Sequence, residues 1–556
     1  MIWDGVQTRQ SVSSGGLMLR LSIVCLAVFA ALGAAQAGVI PDRLVKAVQD
    51  RVAAGTYPAL VIGMVDGDKT EVRAFGTLDG GKAPDGDTLF EIGSITKTFT
   101  ATILARAVLD KEVSLDDPVA KLLPDFTIPS RGGKQITLEE IATQHSGLPR
   151  MPNNFAPADP GNPYADYDVT RLRAFLAQYQ LPRDPGASYE YSNLGFGLLG
   201  QALIAPAHTD YATLVQRKIL EPLRMTGSGV VLSDAMRAHL ASGHNDLGKP
   251  QDNWDLNALA GAGAIRSTAH DMLLYLRANM GVDKTALFPA MQLAHAPRAD
   301  VSPGMRIGLA WMTLTTPKVA VVWHDGETGG YAASIAFTTD GQRGVVVLTN
   351  AAVEVNDLSR AALDPDAPLE PARRAIAMTP SALDAYAGTY KIAGSFVLVV
   401  SRVDDRLYAR ATGQDAFPLF ASAPDEFFAR IGGISISFTR DAKGAVAGLV
   451  LHQNGDHIAP KMTVPPAVTL DAATLSGYVG KYQLVPGAVL DITLVDGELR
   501  AQLTGQPVLP IFASAKDKFF CRMVDAQIDF ERDAGGAIVA LTLHQNGRDL
   551  RAPRLP

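Results

Sequence analysis

Residues 388–455 and 480–547 are two copies of one segment, and this duplication constrains the chain more than any other feature. GTY at 388–390 recurs as GKY at 480–482, TGQ at 412–414 as TGQ at 504–506, FASAPDEFF at 420–428 as FASAKDKFF at 512–520, and LVLHQNG at 449–455 as LTLHQNG at 541–547. Every pair is 92 residues apart with no gap, so each copy folds as its own unit. Each alternates apolar and polar residues in short runs such as FVLVVSRVDDRLYARAT, punctuated by Val-Asp-Asp, Asp-Ala-Lys-Gly and Gln-Asn-Gly turn signals. That is the pattern of an up-and-down antiparallel sheet, which protects its edges best by closing. The expectation is two all-β, eight-stranded antiparallel, lipocalin-like barrels over 379–462 and 467–556. Linkers fit this division: 363–380 is rich in Pro, Asp and Ala, and 459–466 holds Pro460, Pro465 and Pro466. His452 and His544 lie beside the Gln-Asn-Gly hairpin turns and read as structural. Cys521 stands where the other copy has Ala429, the position of a small core residue.

Upstream of the repeat, chemistry concentrates at Ser94-Ile-Thr-Lys97. Gly93 breaks the chain there, and the apolar-rich run that follows reads as a buried helix. Residues three apart share a helix face, so the Lys97 amine reaches the Ser94 hydroxyl. Serine is a poor nucleophile until a base takes its proton, and a lysine in a dry pocket loses enough basicity to serve. Two further motifs follow in order: Tyr191-Ser192-Asn193, and His324-Asp325-Gly326 at the head of an alternating strand-like run.

The order Ser-x-x-Lys, Tyr-x-Asn, basic-x-Gly resembles the penicillin-recognising serine hydrolases, in their class C β-lactamase, DD-peptidase and esterase branch. LEEIATQHSGLPR (138–150), GASYEYSN (186–193) and GAGAIRSTAHDML (261–273) match in sequence as well, and the likeness covers roughly residues 40–375. It implies a multidomain α+β protein. A β-lactamase/transpeptidase-like catalytic domain over 38–378, an antiparallel sheet flanked by helices plus a helical subdomain, precedes the two barrels. It also implies that Ser94 is the acylated nucleophile and Lys97 the first proton partner. Tyr191 is the proton shuttle, whose phenol a cation such as Lys97 must make more acidic, and the choice of base between Lys97 and Tyr191 stays open. Asn193 orients the amine or the substrate amide, and the backbone N–H groups of Ser94 and Glu327 form the oxyanion hole. Gly326 lets substrate approach the strand.

His324 departs from the β-lactamase pattern, which carries lysine in that slot. A histidine is mostly neutral at pH 7 and grips a substrate carboxylate less firmly. The His-x-Gly variant resembles D-aminopeptidases and related amidases, as does one catalytic domain followed by two barrels. There a barrel loop narrows the active site, and the expectation carries over. The function implied is cleavage of amide bonds in short peptides, D-residue-containing or linearised cyclic peptides among them. An esterase or weak β-lactamase, and a non-catalytic penicillin-binding sensor or carrier, are the alternatives. His145, in QHSGLP, reads as a support of the pocket, and His244 and His270 carry no motif role.

Composition narrows the rest. Hydrophobic residues make up 47% of the 556-residue chain and its net charge is −7, which describes folded globular protein with no basic surface for nucleic acid. Residues 1–37 read as a signal peptide: Arg20, an apolar core from Leu21 to Leu32, and the small-x-small site Ala35-Gln36-Ala37, with Met18 as an alternative start. That core is too short to span a bilayer, so the expectation is a periplasmic or secreted protein without stable membrane insertion. With Cys25 removed, Cys521 is the one mature cysteine, which excludes an intramolecular disulfide and cysteine chemistry. No histidine pair has metal-ligand spacing, so no metal or cofactor is expected. A homodimer is compatible with the chain.

Overall fold

The computed structural model describes residues 38–394, 396–506 and 508–556; the signal-peptide reading of 1–37 lies outside them. The first region is built on an antiparallel sheet of eight strands. Their order is Lys69–Gly76, Ala59–Asp66, Arg343–Thr349, Ala332–Thr338, Ala320–Glu327, Met312–Thr315, Met305–Ile307 and Ala299–Ser302. The adjoining strands Ala59–Asp66, Arg343–Thr349 and Ala332–Thr338 are covered on both faces, which is why they read as nearly continuous apolar runs. On one face, helices Asp42–Ala53 and Asn356–Leu363 bury Leu44, Val48, Leu358 and Ala362 against Ile62, Val345 and Val347. On the other, helix Ala269–Met280 and the helical subdomain close over Val61, Val346 and Leu348. A buried ion pair between Arg51 and Asp357 ties the two outer helices together, and Arg51 also donates to the Glu370 carbonyl of the following linker.

Helix Thr96–Leu109 runs through the middle of this layer, with every residue from Thr96 to Ala105 buried. It is apolar all round because protein surrounds it on every side, and its threonines return their hydroxyls to backbone carbonyls or to Tyr211 and Tyr275.

Both barrels form as the repeat predicts. Eight strands from Gly388–Ala393 to Asp456–Pro460, and eight more from Gly480–Val485 to Arg548–Pro553, each pair antiparallel with their sequence neighbours. Bridges Tyr390–Lys461 and Tyr482–Arg554 bring the first strand of each against the chain just past the last, nearly closing the cylinder. The same turn residues take the left-handed conformation in both copies: Asp404 and Asp496, Asp425 and Asp517, Asn454 and Asn546. Alternation alone did not reveal the short helices Pro380–Asp384 and Ala472–Ser476. These lead Leu383 with Tyr386, and Leu475 with Tyr478, onto the two barrel cores. His452 and His544 pair with Asp456 and Asp549 at 2.7 Å on the exposed hairpins, and Cys521 is half-buried.

Candidate active site

Ser94 stands in a single 3₁₀ turn, Gly93–Ile95, that runs directly into helix Thr96–Leu109. Two glycines make that position possible. Gly93 has φ +48°, and a side chain on it would lie 2.7 Å from the backbone N of Glu327. A Cβ on Gly326 would fall inside the Ile92 carbonyl oxygen and 2.9 Å from the backbone N of Ser94. The backbone N–H groups of Ser94 and Glu327 thus share one locale. The Ser94 loop presses on Gly326, which leaves no room there for a side chain.

The Lys97 amine is fully buried and lies 2.8 Å from each of Ser94 Oγ, Asn193 Oδ1 and the Ala262 carbonyl. Burial, reinforced by the nearby Arg150 charge, holds it well below the ordinary lysine range; Asp325 opposes only in part. A neutral amine has two N–H donors and one lone pair. Asn193 and Ala262 accept from the Lys97 amine, and in its neutral form the lone pair would be left for the Ser94 hydroxyl proton.

Tyr191 and Asn193 arrive on a loop gripped by QHSGLPR. Gln144 Oε1 accepts from Ser192 N at 2.8 Å, Ser192 Oγ donates to the Pro149 carbonyl at 2.6 Å, and the Arg150 carbonyl accepts from Asn193 N at 3.1 Å. Ser192 then caps helix Asn193–Ala207 through Gly195 N. His145 holds this turn with its ring nitrogen against the Thr143 carbonyl, in keeping with a supporting part. Burial pushes the Tyr191 phenol up, above its ordinary value, and the proximity of Ser94 and Arg150 offsets only part of that. The expected cation-lowered phenol is therefore absent, and Tyr191 is a protonated group at neutral pH.

These residues open on a cleft of about 420 Å³. Arg150, Met151, Tyr164 and Trp254 line it beside Ser94, Tyr191 and Asn193; Asp325, Gly326, Glu327, Glu354 and Asn356 line the sheet side. The Arg150 guanidinium sits 5.2 Å from the Tyr191 ring centroid and, among the described residues, has no carboxylate at ion-pair distance. Glu327 is pushed up to about 7, first by burial and then by the negative charges of Asp325 and Glu354. Behind the wall, Glu91 and Arg266 form a buried pair 3.1 Å apart, and Glu91 also accepts from Trp254 N at 3.0 Å.

His324 does not line the cleft. Its ring is 2% exposed, bonds through Nδ1 to the Asp325 carbonyl, and is lowered to about 4 by burial. Among the described residues, the positive charge that lines the cleft is Arg150, which closes one of the matching blocks but belongs to none of the three motifs. Trp254, Tyr164, Glu354 and Asn356 carry no sequence signal, since they meet Ser94 only through folding. The barrel loop expected to narrow the cleft is absent from it: among the described residues, neither barrel contributes a lining side chain.

A family model described as Beta-lactamase matches residues 44–367, more than half of the chain. The chain belongs to the Beta-lactamase family. A model described as a domain of unknown function, DUF3471, matches twice, over 372–462 and 464–553. The chain is 27% identical over 358 residues to the D-alanyl-D-alanine-carboxypeptidase/endopeptidase AmpH of Escherichia coli (strain K12), covering 60% of this chain and 90% of that one. It is 29% identical over 304 residues to the unguisins hydrolase ungD' of Aspergillus campestris (strain IBT 28561), covering 50% of this chain and 56% of that one. The chain spans little more than half the length of several curated relatives it matches. A class C beta lactamase from Rhodobacter sphaeroides superposes with a TM-score of 0.51 at 24% identity, covering 58% of this chain and 97% of that one, a likeness of fold.

Proposed function

We propose that this serine hydrolase is exported and cleaves amide bonds of short peptides through an acyl-enzyme on Ser94. The observation that carries the reading is the buried Lys97 amine, held well below the ordinary lysine range, 2.8 Å from Ser94 Oγ. Neutral Lys97 takes the Ser94 proton as Oγ attacks the carbonyl carbon. The developing oxyanion is met by the N–H groups of Ser94 and Glu327, donors of a kind each worth about 3 kcal/mol of barrier. Tyr191 gives its proton to the departing amine and recovers one from the Lys97 ammonium; water, activated by the same groups, then releases the acyl product. Asn193 keeps the Lys97 lone pair turned toward Ser94. Lys97 is thus the first base, and Tyr191 the acid.

A peptide substrate, linear D-residue peptides included, is supported by a cleft that offers Arg150 on one side and Asp325, Glu327 and Glu354 on the other, a match for a short chain bearing both charges. The relatives named for carboxypeptidase/endopeptidase activity point the same way. Export to the periplasm is supported by the sequence of residues 1–37.

The test is a substrate panel with Ser94→Ala as the control: L- and D-amino-acid p-nitroanilides, a linear peptide with D-residues, a p-nitrophenyl ester and nitrocefin. Ser94-dependent amide cleavage is expected. Turnover of ester and nitrocefin with inert amides would replace this reading by the esterase or β-lactamase one, and acylation without turnover would replace it by the sensor.

A further inference from the structure

The two barrels dock through the same loop, in which only the arginine, Arg430 or Arg522, is kept in both copies. In the first barrel, the segment between strands Glu426–Phe428 and Ser435–Arg440 reaches back to the catalytic region; in the second, its counterpart 521–526 reaches back to the first barrel. Both keep one anchor: Arg430 stands 4.4 Å from the Phe420 ring, and Arg522 stands 4.3 Å from the Phe512 ring. The tips differ. The second copy carries Val524-Asp525, and Asp525 pairs with Lys391 at 2.7 Å while the Met523 carbonyl accepts from Thr412 at 2.9 Å. The first carries Gly432-Gly433, both left-handed with φ +61° and +59°, a backbone that frees an N–H to point outward.

That N–H, on Gly432, donates to Glu354 Oε2 at 3.0 Å, while Arg430 donates to the Asp246 and Gly55 carbonyls at 2.8 and 3.2 Å. Glu354 lines the Ser94 cleft on its other side. Its second oxygen accepts from Asn356 Nδ2 at 3.2 Å, and the same Nδ2 donates to Asp325 Oδ2 at 3.0 Å. Asp325 precedes Gly326 and Glu327 on the strand edge that touches the nucleophile loop.

We infer that the first barrel is a positioning part of the active site: the Gly432 tip holds Glu354, and through Asn356 and Asp325 sets the cleft wall that faces Ser94. Among the described residues the second barrel has no such contact, and it serves to brace the first. This rests on the cleft being the acylation site, and it assigns the first copy of the repeated domain a task that its twin does not share.

The experiment exchanges the tip for its twin's sequence, Gly432→Val with Gly433→Asp, in the full chain, and combines it with Glu354→Ala. Hydrolysis of a p-nitrophenyl ester and of a peptide p-nitroanilide is followed as kcat and KM separately, alongside melting temperature. Each change alone should lower kcat/KM about tenfold, as a sub-ångström misplacement does. The combined variant should lose no more than either alone, because both cut one connection. Losses that multiply, or a tip exchange without loss, would overturn the inference. Gly432→Ala, whose Cβ is tight only against the end of Gln453 at 3.2 Å and whose strain comes from the φ of +61°, repeats the cycle if the double exchange unfolds the barrel. Absence of any Ser94-dependent turnover in the parent would instead strike the proposed function.

Discussion

Gly326→Ala puts the arrangement of the nucleophile under direct strain. The added Cβ falls inside the Ile92 carbonyl oxygen and 2.9 Å from Ser94 N, and neither obstacle is a side chain that can swing away. Carbon–oxygen contacts settle near roughly 3.3 Å, so the strand edge and the nucleophile loop must part by about 1 Å. A displacement of that size between reacting groups lowers rate about 10²-fold, which is about 2.7 kcal/mol of barrier. Overpacking of this kind also removes about 1–3 kcal/mol of stability. The loss belongs in the acylation step, because the shift separates Ser94 and its N–H from the Glu327 N–H. Stopped-flow acylation by p-nitrophenyl acetate and thermal melting measure the two effects. A variant that acylates within about threefold of the parent and melts at the same temperature would refute the contact, and with it the shared oxyanion locale.

Lys97→Met should abolish the base and reduce kcat/KM by about 10³-fold or more, while the parent's rate rises with pH through a pKa far below that of ordinary lysine; a parent limb near 10.5 would place the proton on Lys97 at neutral pH. His324 is held near 4 while its unfolded counterpart titrates near 6.5, so the unfolded chain binds more protons between those values. Stability should therefore be full above about 6.5 and fall as pH drops toward 4, and His324→Gln should flatten that part of the melting-temperature profile. Arg51→Ala strands Asp357 beneath the outer helices and should cost about 3–5 kcal/mol in chemical denaturation; a change under about 1 kcal/mol would mean the pair is effectively solvated.

The barrels were legible because their signal is local. Side-chain alternation and turn residues act over a few positions, and a gapless 92-residue repeat declares two equal folding units. Ser94 and Lys97 were legible for the same reason, since one helical turn brings them together whatever surrounds it. The Tyr191 and His324 motifs showed their family by order, yet order says nothing of which side chain faces the cleft. Only packing decided that His324 is sealed beneath it while Arg150, in a supporting block, stands over Tyr191. Only packing, too, pushed the Lys97 amine down and the Tyr191 phenol up, because desolvation depends on how many atoms crowd a group and no short stretch of sequence records that. The docking of the first barrel on Glu354 belongs to the same class: its two ends are 78 residues apart, and their meeting is a property of the folded chain.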